Sequence, residues 1–269
     1  MRSRALAAAL CLIVICAGRV WAQAPDTVFL EELTWTELRD VIGARTATVI
    51  VPVGGTEQNG PHMTLGKHNA RVKILSEKIA RALGGTLVAP VIAYVPEGRL
   101  SPATGHLRFS GTITIPDETF QKVLEYAARS FKLHGFRDIV FLGDHGGTQA
   151  GQKAAAARLN REWAAAPVRV HAIEEYYRTA DVELPRLLGE RGYRKEDLGL
   201  HAGLTDTSLM LAVDPRMARP GRLRPDSWPP GASGVSGDPS RASAELGRLG
   251  VELIVARTAE AIRKSIARR

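Results

Sequence analysis

Short apolar runs alternate with longer amphipathic stretches along this chain. TATVIVPV is β-branched, uninterrupted by charge and closed by Gly54-Gly55, the pattern of a buried strand. NARVKILSEKIARAL places Val72, Leu75, Ile79 and Leu83 at helical spacing and stops at Gly84-Gly85. TLVAPVIAYV reads as a second strand, the segment from Asp117 to KLHG as a helix, and DIVFLG as a third strand. QAGQKAAAARLNREWAA then reads as a helix and VRVHAIE as a strand. Thr34 is a candidate N-cap for a first helix, WTELRDVI. Residues 178–200 promise irregular or short helical structure, and TSLMLAV fits helix or strand. A Pro-, Gly- and Ser-rich covering loop, 220–243, precedes a long C-terminal helix. Strand and helix in alternation predict an α/β fold, a three-layer α/β/α domain with a mainly parallel central sheet.

The first residues change how much of the chain belongs to that domain. MRSRALAAALCLIVICAGRVWAQAP has a basic start, an apolar run and Val20-Trp21-Ala22 ahead of Gln23, the layout of a secretory signal peptide. The run is shorter than the ~20 residues a membrane-spanning helix needs. The expected division is residues 1–22 as signal and 23–269 as a single domain, periplasmic or secreted, with no membrane attachment after cleavage. Both cysteines, Cys11 and Cys16, leave with the signal, which excludes thiol nucleophiles and zinc–thiolate sites from the mature domain. The formal charge of +8 also falls, because Arg2, Arg4 and Arg19 reduce 36 basic residues to 33 against 28 acidic ones. The remaining basic residues are scattered, so no nucleic-acid partner is expected.

Chemistry concentrates in three loops: GGTEQNGPHMTLGKHN (54–69), GDHGGTQ (143–149) and HAGLTDTS (201–208). In a parallel sheet all three lie at the carboxyl ends of strands, where such folds keep their sites. Glu57, His68, His145 and Asp206 supply oxygen and nitrogen donors of the kind that hold zinc, manganese or iron when thiols are absent. Gly146 and Gly147 would let the backbone approach a substrate. Asp144 is a candidate extra ligand or base. His62, His134 and His171 read as packing or capping residues. No G-x-S-x-G elbow is present, which disfavours the usual serine hydrolase.

Taken together these motifs resemble the creatininase (creatinine amidohydrolase) family. The first loop, GHLRFSGTITI, GFRDIVFLGDHGGTQ, HAGLTDTSLMLAVDP and SGVSGDPSRASAELG match its motifs in order over nearly the whole mature chain. The resemblance implies a metal-dependent hydrolase of small, often cyclic, C–N compounds that assembles into homo-oligomers, commonly hexamers. It gives His201 a proton-transfer or positioning role, and His106 matches the histidine before the family's FPGT segment. Two positions depart from the family pattern: Asn59 replaces a histidine ligand and His68 replaces a bridging aspartate. A neutral imidazole offers one nitrogen per metal and cannot bridge as a carboxylate does. One divalent ion per subunit is therefore expected, zinc before manganese or iron.

The expected activity is hydrolysis of an amide, lactam or related C–N bond by metal-activated water. The metal ligands are Glu57, His68, His145 and Asp206, the catalytic groups His201 and Asp144, and the substrate contacts Asn59, His106, Gly146 and Gly147. The changed ligands and the loop YVPEGRLSPATGH also motivate a lyase, isomerase or lactone hydrolase acting on a sugar-like compound. A non-catalytic small-molecule binding protein is the third reading.

Overall fold

The computed structural model describes residues 25–44, 47–228 and 233–268. The expected signal segment, 1–22, lies outside the described residues. Helix α1 (Trp35–Ala44) begins at a capping box: the Thr34 N–H donates to Glu37 at 2.7 Å, and the Glu37 N–H donates back to Thr34 Oγ1 at 3.3 Å. Strand β1 (Thr48–Val53) follows, then α2 (Lys67–Leu83), β2 (Thr86–Val88), α3 (Asp117–Leu133), β3 (Asp138–Gly143), α4 (Gln149–Glu162) and β4 (Arg169–Ala172). The segment left open as irregular or helical contains α5 (Glu175–Arg178), a π-helical turn, α6 (Leu184–Glu190) and α7 (Lys195–Leu198). TSLMLAV resolves as part of helix α8 (Leu204–Val213), and α9 (Ala244–Ala267) closes the described chain.

The four strands form one sheet in the order β2-β1-β3-β4, and every pairing is parallel. Strand periodicity explains the layers. Ile50, Val140 and Leu142 point into a core shared with Val72, Leu75 and Ile79 of α2 and with α8 and α9. Their neighbours Val49, Val51, Ile139 and Phe141 point the other way, against Phe120 and Leu124 of α3 and Leu159 of α4. Successive side chains of a strand face opposite sides, so strands covered on both faces must be apolar throughout. Each buried aliphatic side chain contributes about 1.5–3 kcal/mol.

The second predicted strand is shorter than its apolar run. Regular pairing stops at Val88, because Pro90 cannot donate to the ladder. The chain keeps isolated contacts with β1, from the Ala89 N–H to Ile50 at 2.8 Å and from the Ile92 N–H to Pro52 at 3.0 Å. It then leaves the sheet as a strap, residues 93–112, that crosses the carboxyl ends of the strands. No helix among the described residues is long and apolar enough to cross a membrane.

Helices α8 and α9 pack closely enough to exclude a methyl group. A Cβ at Gly247 would lie 1.8 Å from the Ser208 carbonyl oxygen. Alanine normally stabilises a helix interior over glycine by about 1 kcal/mol. Here the backbone collision outweighs that gain. Gly247→Ala should lower the free energy of unfolding by at least about 2 kcal/mol in urea titration; a neutral or stabilising change would show that the helices can separate freely.

Candidate active site

Parallel topology brings the loops after β1 and β3, the strap and the start of α8 to one sheet edge. Asn69 fixes the first loop, accepting from the Gly55 N–H at 3.0 Å and donating to Thr56 Oγ1 at 3.1 Å. Glu57 is wholly buried at the centre. His68, in the first turn of α2, lies between two carboxylates: Nε2 is 2.7 Å from Glu57 Oε1 and Nδ1 is 2.5 Å from Asp144 Oδ1. His145 reaches Glu57 from the third loop, its Nε2 lying 3.4 Å from Glu57 Oε2. The Gly147 N–H donates to His145 Nδ1 at 3.2 Å, which makes Nε2 the proton-bearing nitrogen of the neutral ring.

A second pair of imidazoles meets the same carboxylate. His106 Nε2 is 3.4 Å from Glu57 Oε2, and His201 Nδ1 is 3.7 Å from Oε1. The two rings stack at 4.3 Å. His201 Nε2 donates to the Gln58 carbonyl at 2.9 Å, so Nδ1 is left as an acceptor. Glu57 thus belongs to two groups of converging donors, one with His68 and His145 and one with His106 and His201.

The other predicted residues take different places. Asp206, expected as a ligand, joins neither group. Arg71 Nη1 donates to its Oδ1 at 2.7 Å, while Lys67 Nζ and the Ala202 N–H each donate to Oδ2 at 2.9 Å. Asp144, expected as a base, is closed in by Arg71 Nη2 at 2.7 Å, the Tyr176 hydroxyl at 2.6 Å and His68. Its oxygens are thus taken up in holding His68 at the cavity wall. Asn59 turns its amide away from the cavity and donates to the carbonyls of Glu57 at 2.9 Å and Thr64 at 3.0 Å. Gly146 and Gly147 do border the cavity; a Cβ on Gly146 would sit 2.8 Å from the Tyr177 hydroxyl.

Three charged residues escaped the sequence reading. Lys67 and Arg71 are buried, and so is Glu97 from the strap. Extending the apolar stripe Val72–Leu75–Ile79 back one turn of α2 arrives at His68 and Arg71. Charged side chains on the core-facing side of a helix are the signal that would have found Arg71; Glu97 lies on no helix and carries no such signal. Glu97 Oε2 lies 3.3 Å from His145 Nε2.

Electrostatics follow from this crowding. Burial pushes the Glu57 carboxyl up, but His145, His68 and Lys67 outweigh it and hold it below the usual range. Burial beside ionised Glu57 pushes Glu97 up to about 9. Burial, reinforced by Lys67, lowers His201 to about 4, so its ring is neutral at neutral pH. Asp144 and Asp206 are opposed by burial yet held down by the charges of Arg71 and of Lys67 with Arg71, respectively. The cavity above measures about 230 Å³, the scale of a small ring compound.

The creatinine amidohydrolase family model matches residues 31–262. The chain belongs to the creatininase family. It is 26% identical to the creatinine amidohydrolase of Pseudomonas putida over 88% of this chain and 97% of that one. It is 27% identical to a mycofactocin precursor peptide peptidase of Mycobacterium ulcerans (strain Agy99), covering 75% of this chain and 78% of the relative. It is likewise 27% identical to the 3-dehydro-scyllo-inosose hydrolase of Thermotoga maritima, over 72% of this chain and 58% of that protein. A creatininase variant of Zn-Zn type superposes with a TM-score of 0.74 at 26% identity, covering 90% of this chain and 99% of that one. A manganese creatininase superposes at 0.73. Those creatininases carry manganese or zinc, and this chain brings together two groups of side chains that could hold such an ion.

The donor set fits such an ion. Glu57 Oε2 is buried and makes no well-formed hydrogen bond, with imidazole nitrogens of His145 and His106 only as near as 3.4 Å, a costly state that a cation relieves. Asp144 behind His68 completes the carboxylate–histidine arrangement common behind metal ligands.

Two outcomes follow. Arg71→Met strands two carboxylates and should destabilise the fold by about 3–5 kcal/mol in urea unfolding; a cost under 1 kcal/mol would mean that water reaches both acids. His62, buried against Thr207, is lowered by burial from 6.5 to about 4. The unfolded chain therefore binds the extra proton, and stability present above pH 6.5 is lost as pH falls toward 4, by at most about 3 kcal/mol. His62→Gln should flatten the pH dependence of the melting temperature across that window.

Proposed function

We propose that this chain hydrolyses an amide or lactam C–N bond of a small molecule, using a divalent ion held by Glu57, His68 and His145. The observation that carries the reading is the orphaned Glu57 oxygen among converging imidazoles. When bound, the ion supplies Lewis acidity to a carbonyl and to water. His145 would hold the ion through Nε2 after that nitrogen gives up its proton to solvent. Asp144 fixes the His68 ring so that Nε2 points at Glu57, where it would serve as a ligand. The unprotonated Nδ1 of neutral His201 accepts the proton of the attacking water and returns it to the leaving nitrogen. His106, stacked on His201, borders the substrate position.

A second reading is favoured by the polar lining. Tyr177, Asp181, His106 and His201 around the cavity suit a polyol or oxidised sugar, and one relative is a hydrolase of 3-dehydro-scyllo-inosose. The proposal extends to export, supported by the basic–apolar start and Val20-Trp21-Ala22 before Gln23. It also extends to a homo-oligomer, a hexamer, by resemblance to creatininases.

Elemental analysis of enzyme purified without chelator should find zinc or manganese, lost in Glu57→Gln and His145→Ala. Substrate turnover across lactams, linear amides, lactones and oxidised sugars should then require that ion. Metal-free native protein that gains nothing from added zinc or manganese would sink the proposal; turnover confined to lactones or sugars would select the second reading.

A further inference from the structure

Glu97 is a buried acid with no part in the proton transfer described above. It lies in the strap that crosses the carboxyl ends of the strands, and its side chain is 1% exposed. The backbone there is pinned on both sides: the Glu97 N–H donates to Thr114 Oγ1 at 2.9 Å and the Arg99 N–H to Thr104 Oγ1 at 2.9 Å. Gly55 leaves room for the carboxyl, since a Cβ at that position would sit 3.1 Å from Glu97 Oε1. That oxygen is buried without a hydrogen-bond partner. The other, Oε2, lies 3.3 Å from His145 Nε2, and Glu57 Oε2 lies 3.4 Å from the same nitrogen. Donors bound to a tetrahedral zinc ion at about 2.0–2.1 Å lie roughly 3.3–3.4 Å from one another. Good hydrogen bonds are shorter. Both spacings therefore suit donors gathered around a shared cation.

We propose that Glu97 is the fourth protein ligand of the divalent ion, beside Glu57, His68 and His145. The proposal rests on the metal reading given above. It answers a shortage of negative charge. His68 stands where the family pattern has a carboxylate, so one anionic ligand is missing there. Asp206 does not replace it, because Arg71, Lys67 and the Ala202 N–H take its oxygens. With Glu97, two buried carboxylates face one doubly charged ion, and their charges balance where water does not screen them. On ligation the Glu97 carboxyl and His145 Nε2 each release a proton to solvent. The same arrangement explains why two acids are buried against a single imidazole nitrogen, a placement that is costly without a cation between them. The strap then supplies both a ligand, Glu97, and a cavity residue, His106.

The test is a calorimetric titration of chelator-stripped protein with zinc, repeated with cobalt(II) to follow the visible bands. Wild type should bind the ion. Glu97→Gln keeps the shape and the hydrogen-bonding capacity of a neutral carboxyl but removes the anionic oxygen. It should bind zinc at least roughly tenfold more weakly and shift the cobalt bands, because the ion loses one of its donors. If Glu97→Gln does not fold, Glu97→Ala takes its place, with the same loss expected. A Glu97 that serves only as a neutral hydrogen-bonding group would leave Glu97→Gln with wild-type zinc affinity and unchanged cobalt bands, which overturns the proposal. Weaker binding with unchanged cobalt bands reports an effect transmitted through His145 or Glu57 and overturns it as well. A wild type that binds no ion fails at the earlier reading, and this result is distinct from an ion bound equally well by Glu97→Gln.

Discussion

Arg71 holds the site together. Its guanidinium, buried in the second turn of α2, donates through Nε and Nη2 to Asp144 at the end of β3 and through Nη1 to Asp206 in α8. Three elements distant in sequence are thus tied by one planar group whose fork matches two carboxylates. The placement of both aspartates depends on that tie. Asp144 can orient His68 only because it is held from behind, and Lys67 can face Glu57 only because Asp206 is anchored on its far side.

A buried ionic cluster of this kind is a poor way to stabilise a fold. Desolvating each charge costs several kcal/mol, and mutual attraction offsets it only when every partner is present. The surrounding apolar layers make the arrangement tolerable: the strands are covered on both faces, and α8 and α9 close over α2. Two carboxylate oxygens nevertheless remain without partners, one on Glu57 and one on Glu97. Unpartnered oxygens in an otherwise well-paired cluster mark where binding, and not packing, has shaped the chain.

Much of this was legible in the sequence, for physical reasons. Runs such as TATVIVPV and DIVFLG identify themselves because a strand buried on both faces has no polar alternation to obscure it. Glu57, His68 and His145 were visible because imidazole and carboxylate in glycine-bounded loops after such strands are uncommon outside sites. Other features depend on partners far along the chain. Asp206 looks like a ligand until Lys67 and Arg71 are seen to take its oxygens, and Asp144 looks like a base until Arg71 and Tyr176 enclose it. Asn59 occupies a ligand position in sequence but spends its amide on two carbonyls of its own loop. Pro90 shortened the second strand, a signal that was local and readable.

The buried ammonium of Lys67 has a consequence for supply. A metal ion can be withdrawn by a chelator, exchanged for a competitor or withheld in a starved environment. A charge carried on the polypeptide is synthesised with the chain and stays at fixed occupancy. The cationic groups at the cavity wall, Lys67 and Arg71, are therefore inherited and not acquired. An enzyme built this way depends on its surroundings for only part of its electrostatics.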